Sequence, residues 1–290
     1  MNHGTNDEMI YHFTSLSTAI EHILYNGTLR LSPFTGTNDP KENKDWIPTL
    51  ALTGDIRHLQ IEEIKSIFNE KKAGASLICF SEDRVPPPLS SLGMNAHMAP
   101  FRDKYYKGYY RPRMWAQYAD NHKGFCLGFN KERLIREARR LFEPSGRIIE
   151  GSVSYSEYNS EQYSAFTLDL KAFQLDREKY IQQHQEKYLK YLFFEKAIDW
   201  KDESEFRVLY LPNVPKEQKS PHYIDIEGCI ETIIVGYEFP EVYIPSLLSL
   251  KKYKYPNAKL NQLKYHNGQP VLTSLLRNNG FPDVKATALL

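Results

Sequence analysis

The sequence predicts a single α+β domain over residues 1–290. Short strand-like runs and amphipathic helix-like runs are mixed along the chain without strict β-α-β alternation, which favours an α+β fold over a doubly wound parallel sheet. No internal repeat and no linker-like segment divides the chain. The composition, with 41% hydrophobic and 25% charged residues, is typical of a globular protein.

The individual elements follow from hydrophobic periodicity. Alternating or continuous apolar runs predict strands at residues 9–15, 28–32, 76–81, 124–129, 152–158, 205–211, 223–226, 229–236 and 260–266. Helical spacing of apolar residues predicts helices at residues 18–27, 60–70, 131–142, 168–198 and 245–254. In the first helix, Thr18 and Glu21 have capping-box spacing and Gly27 is a natural stop.

Residues 83–113 form a 31-residue excursion that is too long for an ordinary connection, so we predict an inserted loop there. It begins with a proline run and ends in a stretch where cations alternate with tyrosines. Cations attract phosphate and tyrosine rings stack on exposed bases, so this stretch indicates nucleic-acid recognition. The alternatives are a solvated loop whose tyrosines pack on the domain, or a surface for an acidic protein. The cations expected to bind the substrate are Lys104, Lys107, Arg111 and Arg113.

The net charge, the spacing of the cysteines and the search for metal-binding, membrane-spanning and signal-peptide patterns limit the classes of function that we expect. A net charge of +1 predicts no strong overall attraction to nucleic acid or membrane, although local patches remain open. The three cysteines are far apart in sequence, which favours reduced thiols over a disulfide framework or zinc site. No metal-binding spacing, membrane-spanning run or secretory signal is visible, so we expect a cytoplasmic protein without a metal.

The segment WKDESEFRVLYL places two acids and a base around a strand start. Because side chains alternate along a strand, we expect Glu203, Glu205 and Arg207 to share one face. One interpretation is a solvated face with a surface Glu–Arg contact of little energy. The other is a catalytic carboxylate whose neighbours set its charge and orientation.

Several segments together resemble a bacterial family of unknown function, the domain-of-unknown-function family numbered 2971. They are YHFTS, NDP, CFSED, MWAQYADNHKGFCLGF, WKDESEFR and IIVG, in that order along the chain. The chain departs from the family pattern at Thr37, where the family usually has Phe, and in the stretch 83–113, where the family link is short.

That family in turn looks like ADP-ribosyltransferases, and this resemblance implies more than the residues alone. It implies a mixed or antiparallel split β-sheet flanked by helices, with NAD as co-substrate. His12 would hold the adenosine-side ribose, Tyr118 would stack on nicotinamide, and Glu205 would be the catalytic carboxylate. Glu203 would position the acceptor or take its proton. Further cofactor contacts are expected from Thr14, Asn38, Ser81, Trp115 and Arg207, with capping, turn or core packing as their structural alternatives.

We therefore expect an NAD-dependent ADP-ribosyltransferase that acts as a bacterial toxin or anti-phage effector. Its acceptor would be RNA or a protein, and an antitoxin or other inhibitor protein would be its partner. One alternative is a metal-dependent nuclease or phosphoesterase that uses Glu203, Glu205 and Asp39. The other is a non-catalytic binding module that keeps the fold without the chemistry.

Overall fold

The computed structural model describes residues 8–51, 58–157, 160–214 and 221–277, and both strands and helices occur throughout these ranges. The strands are β1 Met9–Thr14, β2 Thr28–Pro33, β3 Thr49–Ala51, β4 Ser76–Glu82, β5 Phe125–Asn130, β6 Gly146–Ser152, β7 Ser154–Ser156, β8 Thr167–Asp169, β9 Glu195–Ala197, β10 Glu205–Pro212, β11 His222–Asp225, β12 Ile230–Val235, β13 Lys259–His266 and β14 Gln269–Ser274. The mixed sheet pairing and the flanking helices confirm the predicted α+β class.

The α-helices are α1 Pro40–Asn43, α2 His58–Gly74, α3 Ala99–Lys104, α4 Pro112–Tyr118, α5 Lys131–Phe142, α6 Ser160–Ala165, α7 Leu170–Leu175, α8 Arg177–Lys187, α9 Leu189–Phe193 and α10 Ile244–Tyr253. The segment Thr18–Leu24 is π-helical, and short 3₁₀ turns include Ile198–Glu203. None of the helices in the described ranges combines the length and the apolar character needed to cross a bilayer.

The chain divides into two compact units, each built from separated segments. Unit one takes its described residues from Met1–Thr28, Asp83–Lys131 and Ile226–Leu290. Its strands lie in the order β1-β5-β12-β13-β14, and only the β12–β13 pair among them is parallel. Its core packs Phe13 edge-on against Trp115, with Ile234 and Leu263 buried beside them.

Unit two takes its described residues from Leu29–Glu82 and Glu132–Asp225. Its strands lie in the order β11-β2-β4-β10-β6, and β10 is antiparallel to both neighbours. Two short parallel pairs, β3 with β8 and β7 with β9, complete it. The core is aromatic: Phe34, Trp46 and Phe193 meet edge to face at 5.0–6.0 Å between ring centroids. Because β10 is paired on both sides and covered by this core, its first six residues are all buried.

Most predicted elements are confirmed, but the long helix predicted over residues 168–198 is wrong. Three short helices, α7 to α9, and strand β9 occupy that range. Two aspartates restart the helix: Asp169 accepts a hydrogen bond from the backbone N–H of Lys171, and Asp176 accepts one from that of Lys179. Side chains of this type compete with helix-interior hydrogen bonds and favour caps, which explains the breaks.

The stretch 83–113 contains short 3₁₀ turns and α3, and hydrogen bonds join its first residues to residues near its end. Asp83 accepts hydrogen bonds from the backbone N–H of Gly108 and from Lys107, each at 2.7 Å. The backbone N–H of Arg84 donates to the carbonyl of Tyr106 at 2.8 Å. The ends of the excursion are therefore closed by hydrogen bonds within unit one.

Two glycines of unit one give a matched test of backbone packing. A Cβ atom on Gly236 would lie 1.9 Å from the carbonyl oxygen of His122, whereas one on Gly228 would meet no atom within 4 Å. We expect Gly236→Ala to lower the free energy of unfolding by about 1–3 kcal/mol, because the backbone must shift. Gly228→Ala should change it by less than about 0.5 kcal/mol. Urea unfolding of both variants measures this, and equal stabilities would contradict the close approach.

Candidate functional site

The candidate site lies in unit two, at the turn that leads into β10. The 3₁₀ segment Ile198–Glu203 ends at Ser204, which adopts the left-handed conformation with φ 41°. Ser81 at the end of β4 donates its hydroxyl to the carbonyl of Glu203 at 2.8 Å. The backbone N–H of Glu205 donates to the hydroxyl of Tyr155 at 2.8 Å. Ser81 therefore holds the end of the 3₁₀ segment, and Tyr155 holds the first residue of β10.

This turn corrects the expectation that Glu203, Glu205 and Arg207 share one strand face. Glu203 ends the 3₁₀ segment before the strand, and the left-handed Ser204 separates it from Glu205, the first residue of β10. The interpretation as a solvated face is also wrong: Glu203 and Glu205 are each 3% exposed and Arg207 is 0% exposed.

The acids belong to a buried ion network of five side chains. The Arg207 guanidinium donates from Nε to Glu205 at 2.6 Å and from Nη2 to Glu42, and its Nη1 donates to the carbonyl of Phe193. Lys196 Nζ lies 2.8 Å from a Glu203 oxygen and 2.7 Å from a Glu205 oxygen. Three carboxylates thus surround two cations, and we call this set, Glu42, Lys196, Glu203, Glu205 and Arg207, the ion network.

The charges of the network act differently on its acids. Burial would raise the pKa of Glu205, but Arg207 and Lys196 together outweigh it and lower that pKa to about 2. For Glu42, burial raises the pKa and the same two cations offset this only in part. Glu205 is therefore ionised at neutral pH, and Glu42 gains a proton more readily than Glu205 does.

Two neutral groups adjoin the network. Cys79 lies opposite Arg207 in the β4–β10 register. Burial, and then the Glu205 charge, raise the pKa of its thiol, so it stays protonated. Burial also raises the pKa of Tyr155, whose hydroxyl meets the Glu205 backbone. The arrangement presents an ionised carboxylate in a desolvated setting, where charges act strongly.

Two network members were not found by sequence reasoning. Glu42 lies on α1, which begins after Asp39 accepts a hydrogen bond from the backbone N–H of Lys41 at 2.9 Å. The Asp-Pro pair allows the start of this helix to be predicted from the sequence. It does not indicate that Glu42 contacts Arg207. Lys196 lies on β9, inside the range wrongly predicted as one helix.

The other predicted cofactor residues are distributed as follows. In unit two, the Ser81 hydroxyl is engaged with Glu203, and Asn38 is exposed before α1. In unit one, His12 is half-buried on β1 and Thr14 is 6% exposed at its end. Also in unit one, Trp115 is a fully buried core residue that donates to the carbonyl of Tyr109, and half-buried Tyr118 accepts from Gln117 at 3.2 Å.

The four cations of the inserted stretch differ in accessibility. Lys107 is paired with Asp83 at 2.7 Å, and Arg111 is 3% exposed. Lys104 donates to Gln269 at 3.3 Å, and Arg113 is exposed. Arg113 is therefore exposed, Lys104 and Lys107 are half-buried and Arg111 is buried, and binding of a substrate by all four stays a prediction.

The fold and the site together describe an α+β protein with a buried acid–base network at the start of a central strand. A family described as "Protein of unknown function (DUF2971)" matches residues 114–208, which include β10 up to Val208 and four of the five network residues. The resemblance to this family is confirmed over that segment, and the link to ADP-ribosyltransferases stays a prediction. Comparison with curated proteins and with solved structures found no match.

Lys196 tests whether the network is a coupled unit. Lys196→Met keeps an unbranched stem but removes the ammonium, which leaves Glu203 and Glu205 buried with less counter-charge. We expect the free energy of unfolding to fall by about 3–5 kcal/mol, as when one partner of a buried ion pair is removed. Lys190→Met, at an exposed position on α9, is the control and should have little effect. Chemical denaturation measures both, and an equally small change in Lys196→Met would contradict the network.

Proposed function

We propose that this chain is an NAD-dependent ADP-ribosyltransferase that transfers ADP-ribose to a macromolecular acceptor. The observation that carries the proposal is the state of Glu205: an ionised, 3% exposed carboxylate at the first position of β10. Glu203, two residues earlier, contacts the same ammonium of Lys196. This pairing supports the Glu-x-Glu roles that the family resemblance implies.

The proposed chemistry uses the charge of Glu205. When the bond between nicotinamide and ribose breaks, its electron pair leaves with nicotinamide and positive charge develops on the ribose. A preorganised carboxylate in a dry site stabilises such charge more than a carboxylate in water does. Arg207 and Lys196 keep Glu205 anionic and fix its orientation through short contacts. Glu203 would then position the acceptor or take its proton.

The burial of Glu205 also favours a second candidate, a non-catalytic module. Both oxygens of Glu205 are already engaged by Arg207 and Lys196. Contact with a ribose would require the turn at Ser204 to move. If it does not move, the network stabilises the fold and has no chemical role. The nuclease alternative has less support, because Asp39 caps α1 and both Glu203 and Glu205 face cations. Within the described residues, no group of three His, Cys, Asp or Glu side chains is placed to hold a metal ion.

The wider role remains part of the same proposal. We place the enzyme in the bacterial cytoplasm as a toxin or anti-phage effector, held in check by an antitoxin or another inhibitor protein. His12, Thr14, Asn38 and Tyr118 are the further residues proposed for NAD, whereas the burial of Trp115 fits the core-packing alternative. These roles rest on the family resemblance alone.

Release of nicotinamide from NAD tests the proposal, with two glutamates as a matched pair. Glu205 and Glu42 are both buried and both contact Arg207, so Glu42→Gln controls for the loss of a buried carboxylate beside this guanidinium. We expect Glu205→Gln to lose at least about a hundredfold in turnover, because transition-state charge stabilisation is lost. Glu42→Gln should retain most of its activity per folded molecule. Turnover is measured below the unfolding transition of both variants.

The outcomes separate the two candidates. Nicotinamide release by the wild type that disappears only in Glu205→Gln supports the enzyme. No release by the folded wild type favours the non-catalytic module, and the same loss in both variants would contradict the specific role of Glu205.

A further inference from the structure

Unit one contains an open pocket that the proposed function does not use. Its volume is about 580 Å³, within the range of small-molecule sites. The lining residues come from the start of α4, the turn before β5, the residues after β12 and the end of β13. They are Pro112, His122, Tyr237, Lys264, Tyr265 and His266.

Three aromatic rings form walls of this pocket at different orientations. The His122 and Tyr237 rings are 4.6 Å apart between centroids, and Tyr237 and Tyr265 are 5.5 Å apart at 90°. Behind them, the buried Trp115 ring stacks on His122 with an interplanar angle of 9°. Tyr237 is 44% exposed, so part of its ring is available to an occupant.

The backbone that presents His122 is strained. Asp120, Asn121 and His122 have consecutive positive φ angles of 47°, 51° and 69°, a conformation that is uncommon for residues other than glycine. The turn is held by the backbone N–H of His122 donating to the carbonyl of Trp115 at 3.1 Å, and by that of Leu16 donating to Asp120 at 2.7 Å. Strain of this kind concentrates at ligand sites, where the surrounding structure maintains it. The turn also lies in the segment that the family model matches.

The buried polar groups of the pocket are neutral, and a lysine lies beside them. Nδ1 of His122 and the hydroxyl of Tyr265 are buried and have no hydrogen-bond partner within the described ranges. Burial lowers the pKa of His122 and raises that of Tyr265, so both are uncharged at neutral pH. Lys264 and the exposed His266 lie beside them. An occupant with hydrogen-bonding edges would offset the cost of these unpaired atoms, and one with an anionic group would suit Lys264.

We propose that this pocket binds a nucleobase that carries a phosphate, stacked on Tyr237 with its phosphate near Lys264. A flat base with polar edges matches the aromatic walls and the neutral polar atoms, and phosphate matches the cation. The ring series continues from Tyr265 to Tyr110 at 6.2 Å and on to Tyr105 at 5.2 Å, with Lys104 above the Tyr105 ring. This extension favours a single-stranded nucleic acid over a free nucleotide as the source of the base. The proposal does not rest on ADP-ribosyl transfer.

Fluorescence anisotropy with a labelled single-stranded RNA hexamer tests this inference, using the full chain without NAD. The competitors are the unlabelled hexamer, its duplex and AMP. We expect the single strand to bind and the duplex to compete weakly, because its bases are not exposed. Stronger competition by AMP than by the hexamer would assign the pocket to free nucleotides. This result would support binding of a base but would exclude single-stranded nucleic acid as its source.

Substitutions at matched tyrosines locate the binding. Tyr237→Ala should weaken binding about tenfold or more, because one stacking face is lost, whereas Tyr237→Phe should retain it. Tyr253→Ala, at a 75% exposed position on α10 of the same unit, is the control and should bind like the wild type. Lys264→Ala should reduce the dependence of binding on salt. Wild-type affinity in folded Tyr237→Ala, equal losses in Tyr237→Ala and Tyr253→Ala, or binding of neither the hexamer nor AMP would overturn the proposal. The binding assay does not measure nicotinamide release, so the proposed base binding and the proposed ADP-ribosyl transfer can each be overturned without the other.

Discussion

The constraint on which unit two depends is the burial of the Arg207 guanidinium. Arg207 is 0% exposed in a strand that is paired on both sides, so its charge has no access to water. A charge in this position is tolerated only when it is paired and hydrogen-bonded. Glu205, Glu42 and the carbonyl of Phe193 supply those partners, and each comes from a different element. The need to satisfy one guanidinium therefore brings β10, α1 and the end of α9 together.

Lys196 extends this constraint to the turn before β10. It lies 2.7–2.8 Å from both Glu203 and Glu205, and it also packs over the ring of Trp200 at 5.2 Å. A buried ion pair is weak support for stability, because well-packed apolar residues often stabilise a fold as well or better. A network of three acids and two bases therefore stabilises a core less effectively than apolar packing would. Its position at a strand start, with one acid kept ionised, is what makes a chemical role for Glu205 worth testing.

Hydrophobic periodicity was sufficient for most strands and for α5 and α10, because each presents one apolar face or lies wholly in the core. The position of Glu203 outside β10 could not be predicted from periodicity. Strand alternation assumes extended backbone, and the left-handed Ser204 breaks it. The aspartates that split residues 168–198 were readable as caps, although the tyrosines and leucines around them followed a helical pattern. The partnership of Glu42 and Lys196 with Arg207 joins residues far apart in sequence, which no local pattern records. The pocket beside His122 was also not predicted, since it depends on the packing of Tyr237 and Tyr265 from later strands.

The central claim is that Glu205 stays ionised while buried, and its carboxyl titration tests this most directly. Carbon-13 NMR of the glutamate side chains, with the Glu205 resonance assigned by its disappearance in Glu205→Gln, follows the protonation of this carboxyl as the pH is lowered. The ion network predicts a midpoint near 2, far below the ordinary glutamate value of 4.5. A midpoint at or above 4.5 would show that Arg207 and Lys196 do not outweigh burial, and it would contradict the account.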